Sequence, residues 1–127
     1  ILHQKNNNNY NKHKSFYFIL IYIIYIMDYK IKARQFKSAK KINVEIKPSS
    51  KKNKKIDIYK DDKVIGSIGG VKKDGTFYMD YASYLETLSK EEANKKKDNY
   101  LKRHSKEPKM KDGKRTNSYY SDVILWS

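Results

Sequence analysis

The sequence predicts an α+β domain, a three-stranded antiparallel meander followed by two or three short helices packed on one face, and three observations predict it. Apolar and polar residues alternate over 42–47. Two more short apolar runs, 56–59 and 64–68, are separated by Lys60-Asp61-Asp62-Lys63, which has the chemistry of a hairpin turn. From Asp80 onward the apolar spacing changes from two residues to the helical repeat of about 3.6.

Taken in order, residues 29–36 alternate weakly, with Tyr29, Ile31 and Ala33 on one side and Lys30, Lys32 and Arg34 on the other. An edge strand or a basic tail is expected here, within a basic segment covering 27–41, and the α+β domain itself is expected over 42–127. Ile42, Val44 and Ile46 face away from Asn43, Glu45 and Lys47, and Pro48-Ser49-Ser50 ends the run, as in a half-buried strand and its turn. Residues 51–55, Lys-Lys-Asn-Lys-Lys, contain nothing apolar and are expected to form a solvated loop. The hairpin 56–68 follows, with one face of the meander buried.

Gly69-Gly70 breaks the last strand, and Lys72-Lys73-Asp74-Gly75 makes an exposed turn. Glycines beside lysines invite a phosphate-loop reading, but the Gly-x4-Gly-Lys-Ser/Thr spacing is absent and no helix start follows. Glycines needed for positive φ or close approach at a sheet edge explain the segment.

Asp80 is placed to cap a short helix with Tyr81, Tyr84, Leu85 and Leu88 on one face. Ser89 with Glu92 has the capping-box pattern for a second helix, with Leu88 and Ala93 as its hydrophobic staple. That helix runs to about His104, with Ala93, Tyr100, Leu101 and His104 on one face and Lys90, Lys95, Lys96, Lys102 and Arg103 over the rest. Glu107-Pro108 ends it, 109–116 is a basic loop turning at Asp112-Gly113, and a last helix over 118–126 presents Tyr119, Tyr120, Val123, Ile124 and Trp126 for packing across the sheet and the second helix.

Residues 1–26 differ in kind. They contain no acidic residue and no Gly, Ala, Val, Pro or Thr, a composition of A/T-rich codons. The simplest account is translated upstream sequence, with the product starting at Met27. The competing account takes Lys12-His13-Lys14 and the apolar run 16–27 as a secretory signal or membrane anchor. The run is shorter than the roughly 20 residues a span requires, and no small-residue cleavage site follows.

The chain carries 29 Lys+Arg against 14 Asp+Glu, a net charge of +15. Only Lys5, Lys12 and Lys14 precede Met27, which leaves 26 basic residues against 14 acidic, +12, from there on. A field of that sign favours nucleic acid, anionic lipid or acidic protein surfaces. Against this stands the lysine-rich solvated face of an A/T-rich genome, since only Arg34, Arg103 and Arg115 are arginines, the type preferred for bidentate recognition. The absence of cysteine excludes disulfides and Cys-based zinc sites.

Three groups of basic residues are candidates for phosphate contact: Lys51, Lys52, Lys54 and Lys55; Lys95, Lys96, Lys102 and Arg103 on the second helix; and Lys109, Lys111, Lys114 and Arg115. The aromatics Tyr78, Tyr81, Tyr84, Tyr119, Tyr120 and Trp126 resemble a base-stacking set, although at helical spacing next to Leu and Ile such residues form cores. Only those left exposed on a basic face would stack. His104, the one histidine outside residues 1–26, has no acidic partners at ligand spacing, so no metal or cofactor is expected. Tyr100, Arg103, His104 and Asp80 are the residues an acid–base site would use, and its requirement is a concave pocket beside His104.

The order of motifs resembles a family of small basic uncharacterised proteins of nucleocytoplasmic large DNA viruses, of mimivirus or phycodnavirus type. The residues that carry the resemblance are Lys54-Lys55-Ile56-Asp57-Ile58-Tyr59, Ile65-Gly66-Ser67-Ile68-Gly69, Met79-Asp80-Tyr81, Tyr100-Leu101-Lys102-Arg103-His104 and Tyr119-Tyr120 through Leu125-Trp126. It covers roughly residues 44–126 and departs from the family pattern in the loop 71–76 and at Asn99, where a basic residue is expected. The resemblance implies a viral accessory or virion-associated protein in host cytoplasm, viral factory or virion, with no assigned chemistry. The functional expectation is non-specific nucleic-acid binding through the lysine groups. The alternative is a protein-interaction or structural module meeting an acidic protein, with Tyr120 and Trp126 as anchors if they are exposed, and a third is an enzyme built on Tyr100, Arg103, His104 and Asp80.

Overall fold

The computed structural model describes residues 29–127; the expectations for residues 1–26 and for an anchor at 16–27 lie outside them. The α+β class is present, as a three-stranded antiparallel sheet and four helices. Strands β1 (Glu45–Pro48), β2 (Ile56–Lys60) and β3 (Lys63–Ile68) lie in the order β1-β2-β3, so β2 is central. Ile46 pairs with Ile58 and Ile56 with Ile68. Alternation puts these four on one face, and all four are buried in the core.

The opposite face at this end is polar but closed. Asp57 lies across from Ser67, and its carboxylate accepts from the Ser67 hydroxyl at 2.7 Å, the Ser49 hydroxyl at 2.6 Å and the Ser50 backbone N–H at 3.2 Å. Burial raises the pKa of this group, but the Ser49 and Ser67 hydroxyls outweigh it and hold Asp57 below its ordinary value.

The β2–β3 turn has positive φ at both Asp61 (52°) and Asp62 (61°), the type I′ geometry that matches strand twist. The pairing then shifts, from Tyr59 with Val64 to Ile58 with Gly66, so Ile65 is an extra, bulged residue. The bulge explains why Val64 and Ile65 stay exposed in a strand that reads as apolar.

Where a strand or tail was expected before residue 42, the chain forms a helix, α1 (Ala33–Lys41). The weak alternation ends at its first residue. The side chains that face inward are Gln35 and Ala39, one turn apart and buried, and neither has the bulk that marks a helix in a sequence. Gln35 Oε1 accepts from the Lys32 N–H at 2.9 Å and its amide donates to the Tyr29 hydroxyl at 2.8 Å, so the polar side chain both starts the helix and fixes the preceding segment. Asn43, at φ 58°, turns the chain from α1 into β1.

Helix α2 (Tyr81–Thr87) begins at Asp80, which accepts from the Ser83 N–H at 2.9 Å. Helix α3 (Lys90–Arg103) begins at Ser89, which accepts from the Glu92 N–H at 3.2 Å. Glu91 and Glu92 in its first turn and Lys102 and Arg103 in its last complement the helix dipole. The basic loop after it closes into a small hairpin of β4 (Met110–Lys111) and β5 (Lys114–Arg115), with Asp112 (φ 53°) and Gly113 (φ 74°) in its turn. Thr116 caps α4 (Asn117–Tyr120), which widens into a π-helical turn, Ser121–Leu125. Tyr120, Ile124, Leu125 and Trp126 enter the core from here. A Cβ on Gly66 would come within 2.7 Å of Asn117 Oδ1, so the missing side chain lets α4 lie against β3, where Asn117 Oδ1 accepts from the Ser67 N–H at 3.2 Å.

Candidate nucleic-acid interface

The site is built on a buried ion pair. Lys55 Nζ lies 3.0 Å from Asp80 Oδ2, and the two side chains are 2% and 1% exposed. The Tyr29 hydroxyl donates to the same carboxylate oxygen, and the Tyr29 ring lies 5.0 Å from Lys55 Nζ. Burial raises the pKa of Asp80, but the Lys55 charge and the Tyr29 and Ser83 donors outweigh it and hold the carboxyl below its usual value. Burial also depresses the Lys55 ammonium, against the pull of Asp80, and burial with the neighbouring carboxylate raises the Tyr29 phenol. The stem of Lys55 occupies the space a Cβ on Gly69 would need, its Cγ only 2.5 Å away, and Gly69 has φ +92°. Positive φ and close approach both apply at this glycine.

Lys55 therefore does not belong to the solvated cluster expected over 51–55: it is a buried strut, while Lys51 and Lys52 are exposed and Lys54 is half-buried. Two residues of the third group are also engaged. Lys109 Nζ lies 2.8 Å from Asp122 Oδ2 and 2.7 Å from the Ser118 hydroxyl, and Arg115 donates to the Ile42 carbonyl at 2.9 Å and stacks over Tyr119. Lys95, Lys96, Lys102, Arg103, Lys111 and Lys114 remain exposed.

Beside the strut lies a cleft of about 480 Å³. Sequence-distant segments meet here: Lys54 and Lys55 before β2, Gly69-Gly70 and Tyr78-Met79 after β3, the C-terminal turn of α3, and the end of the chain. Tyr100, Arg103, His104, Leu125 and Trp126, which sequence reasoning singled out, all line it. Asp80 and Tyr81 lie outside the lining. Tyr78, Met79, Ser121 and the glycine backbone were not foreseen as lining residues; Tyr78 had signalled itself only as one member of the aromatic set.

The cleft wall is a stack of rings. Tyr100 lies 4.2 Å from Trp126 at 9° and 4.2 Å from His104 at 28°, so its two faces are covered by different neighbours. Burial raises the Tyr100 phenol above its usual value. Tyr81, Tyr120 and Trp126 are buried and Tyr84 and Tyr119 half-buried, whereas Tyr78 is 56% exposed. Tyr120 and Trp126 thus do not meet the condition of exposure that would make them anchors of a protein-interaction module; both are core residues.

The four residues named for an acid–base site are not assembled into a relay. Asp80 turns to Lys55, and His104 and Tyr100 meet face to face rather than through a hydrogen bond in the ring plane. The His104 Nδ1 is paired with Glu107. Among the described residues the cleft lining includes Lys54, Lys55, Arg103 and His104 and no carboxylate. With the Lys55 charge balanced by Asp80, Lys54 and Arg103 carry the excess. A larger, open groove between α1 and β1 is lined by Glu45, Asp61 and Asp62 as well as lysines, so it lacks this one-signed character.

Among the described residues no group of three or more His, Asp or Glu could hold a metal ion, and no helix is long and apolar enough to cross a membrane. No protein-family model, curated protein or solved structure matches the chain.

Proposed function

We propose that this is a non-enzymatic basic accessory protein, of the viral type its motifs resemble, that associates with nucleic acid. The observation that carries the reading is the cleft, which Lys54 and Arg103 both line without an ion-pair partner, and with no carboxylate in the lining, among the described residues. A concave, low-dielectric wall of one sign concentrates potential and draws in polyanions. Exposed Lys51, Lys52 and Lys102 extend the charge on either side in sequence. Contacts of this kind go to phosphates and carry little base information.

The test is fluorescence anisotropy of the full chain with labelled duplex DNA, single-stranded DNA and RNA at low and near-physiological salt. Micromolar binding that weakens steeply with salt is expected, and Lys54→Glu with Arg103→Glu is expected to remove most of it. Absent or salt-indifferent binding would overturn the reading and leave an acidic protein as the partner of the basic surface.

A further inference from the structure

Resting on the nucleic-acid reading, we propose that the cleft holds one unpaired nucleotide of a single strand, its base against Tyr78 and its phosphates at Lys54 and Arg103. Tyr78 meets the requirement that separates a stacking aromatic from a core one: it is 56% exposed and lies at a basic cleft. Its ring sits against Gly70, where an added Cβ would approach to 3.2 Å, and Lys72 Nζ lies over the ring at 5.8 Å from its centroid, a flexible exposed side chain that a stacking base would displace. Tyr100 is closed to a base by Trp126 and His104 and serves as the wall. A volume of about 480 Å³ falls in the range of small-ligand sites. The mixture decides the ligand class: a phosphate alone needs no aromatic mouth and an apolar ligand needs no unpaired cations, whereas a nucleotide uses both. A duplex offers no free base face.

Trp126, the single tryptophan of the chain, lines the cleft and reports its occupancy. The full chain is titrated with a single-stranded oligothymidylate of about 10 nucleotides, the matching duplex and inorganic polyphosphate, following anisotropy or competition together with Trp126 emission. The single strand is expected to bind roughly tenfold tighter than the duplex and alone to change the emission; Tyr78→Ala is expected to lose roughly that tenfold, the scale of one base–aromatic stack, and Tyr78→Phe to keep it. As Tyr78 is exposed, both variants should retain the circular dichroism of the parent. Equal single-strand and duplex binding with unchanged emission and a silent Tyr78→Ala overturns the nucleotide site and leaves the polyanion reading standing. An equal emission change with polyphosphate also overturns it, since the cleft then takes phosphate alone. No binding to any probe overturns both.

Discussion

Asp80 Oδ2 accepts from Lys55 Nζ at 3.0 Å in a place where neither side chain meets solvent, and this contact ties the start of β2 to the start of α2. The two partners are not equally dependent on each other. Asp80 also receives the Tyr29 hydroxyl and the Ser83 N–H, whereas among the described residues the Lys55 ammonium has only the Tyr29 ring besides Asp80. A buried pair adds little stability over an apolar pair of the same shape, but breaking one leaves an uncompensated charge.

The first prediction follows from that asymmetry. Asp80→Asn is expected to cost about 3–5 kcal/mol, because it strands a buried ammonium. Lys55→Met keeps the stem across Gly69 and leaves Asp80 two donors, so it is expected to cost less. Urea unfolding of the two variants checks the order; equal losses would show that the carboxylate depends on Lys55 as much as Lys55 depends on it.

Asp57 and Asp80 are the buried carboxylates that contribute to the acid limb of the stability curve, beside the exposed Asp74, which its Thr76 donors also hold below the ordinary value. Both buried groups have native pKa values lowered from 3.8, so the native state binds fewer protons than the unfolded chain as pH falls through that region. Their stabilisation is present above the unfolded value and is lost as pH drops below about 4 toward the native values. Unfolding midpoints measured from pH 7 to pH 2 should hold level and then fall, and Asp57→Asn should shallow the fall. Among the described residues Asp57 has no cation at its carboxylate, only serine and backbone donors, so its share should persist at high salt.

Two glycines with similar backbones separate strain from crowding. Gly69 has φ +92° with the Lys55 stem in the way, and Gly75 has φ +87° with nothing within 4 Å. Gly75→Ala is expected to cost on the order of 1 kcal/mol for the left-handed backbone alone. Gly69→Ala should cost that and roughly 1–3 kcal/mol more for displaced packing. Thermal unfolding of the two variants measures the difference, and Gly69→Ala should cost less when introduced into a Lys55→Ala background than into the parent, since most of the stem it displaces is then gone.

How far the sequence revealed this structure depended on bulk and turn chemistry. The hairpin at Asp61-Asp62, the caps at Asp80 and Ser89 and the end of α3 near His104 were legible, because each rests on a local hydrogen bond or a repeated apolar spacing. Helix α1 was not, because the residues it buries are a glutamine and an alanine; the tertiary hydrogen bonds of Gln35 to Tyr29 decide the outcome and leave no periodic mark. Lys55 looked like its lysine neighbours for the same reason. Its partner is Asp80, 25 residues away, and no local pattern separates it from Lys54. The cleft residues Tyr100, Arg103, His104 and Trp126 were picked out in the sequence, but their convergence with Gly69-Gly70 and Tyr78 is a tertiary fact.

The β2–β3 turn supports a stabilising change. In a type I′ turn both central residues need positive φ, and Asp61 (52°) and Asp62 (61°) both adopt it. Aspartate tolerates this region better than most residues, but two in succession also place carboxylates on adjacent positions, and Asn-Gly is the preferred pair. Glycine at the second position removes the Cβ penalty, and asparagine at the first removes a like charge. Asp61→Asn with Asp62→Gly is therefore expected to raise stability by about 0.5–1 kcal/mol, the ordinary gain from matching turn residue to backbone. Neither aspartate has a hydrogen-bond or ion-pair partner among the described residues that the exchange would remove. Urea midpoints of the double variant decide the matter: an unchanged or lower midpoint would mean that the entropy glycine adds to the unfolded chain outweighs the relief of the left-handed backbone.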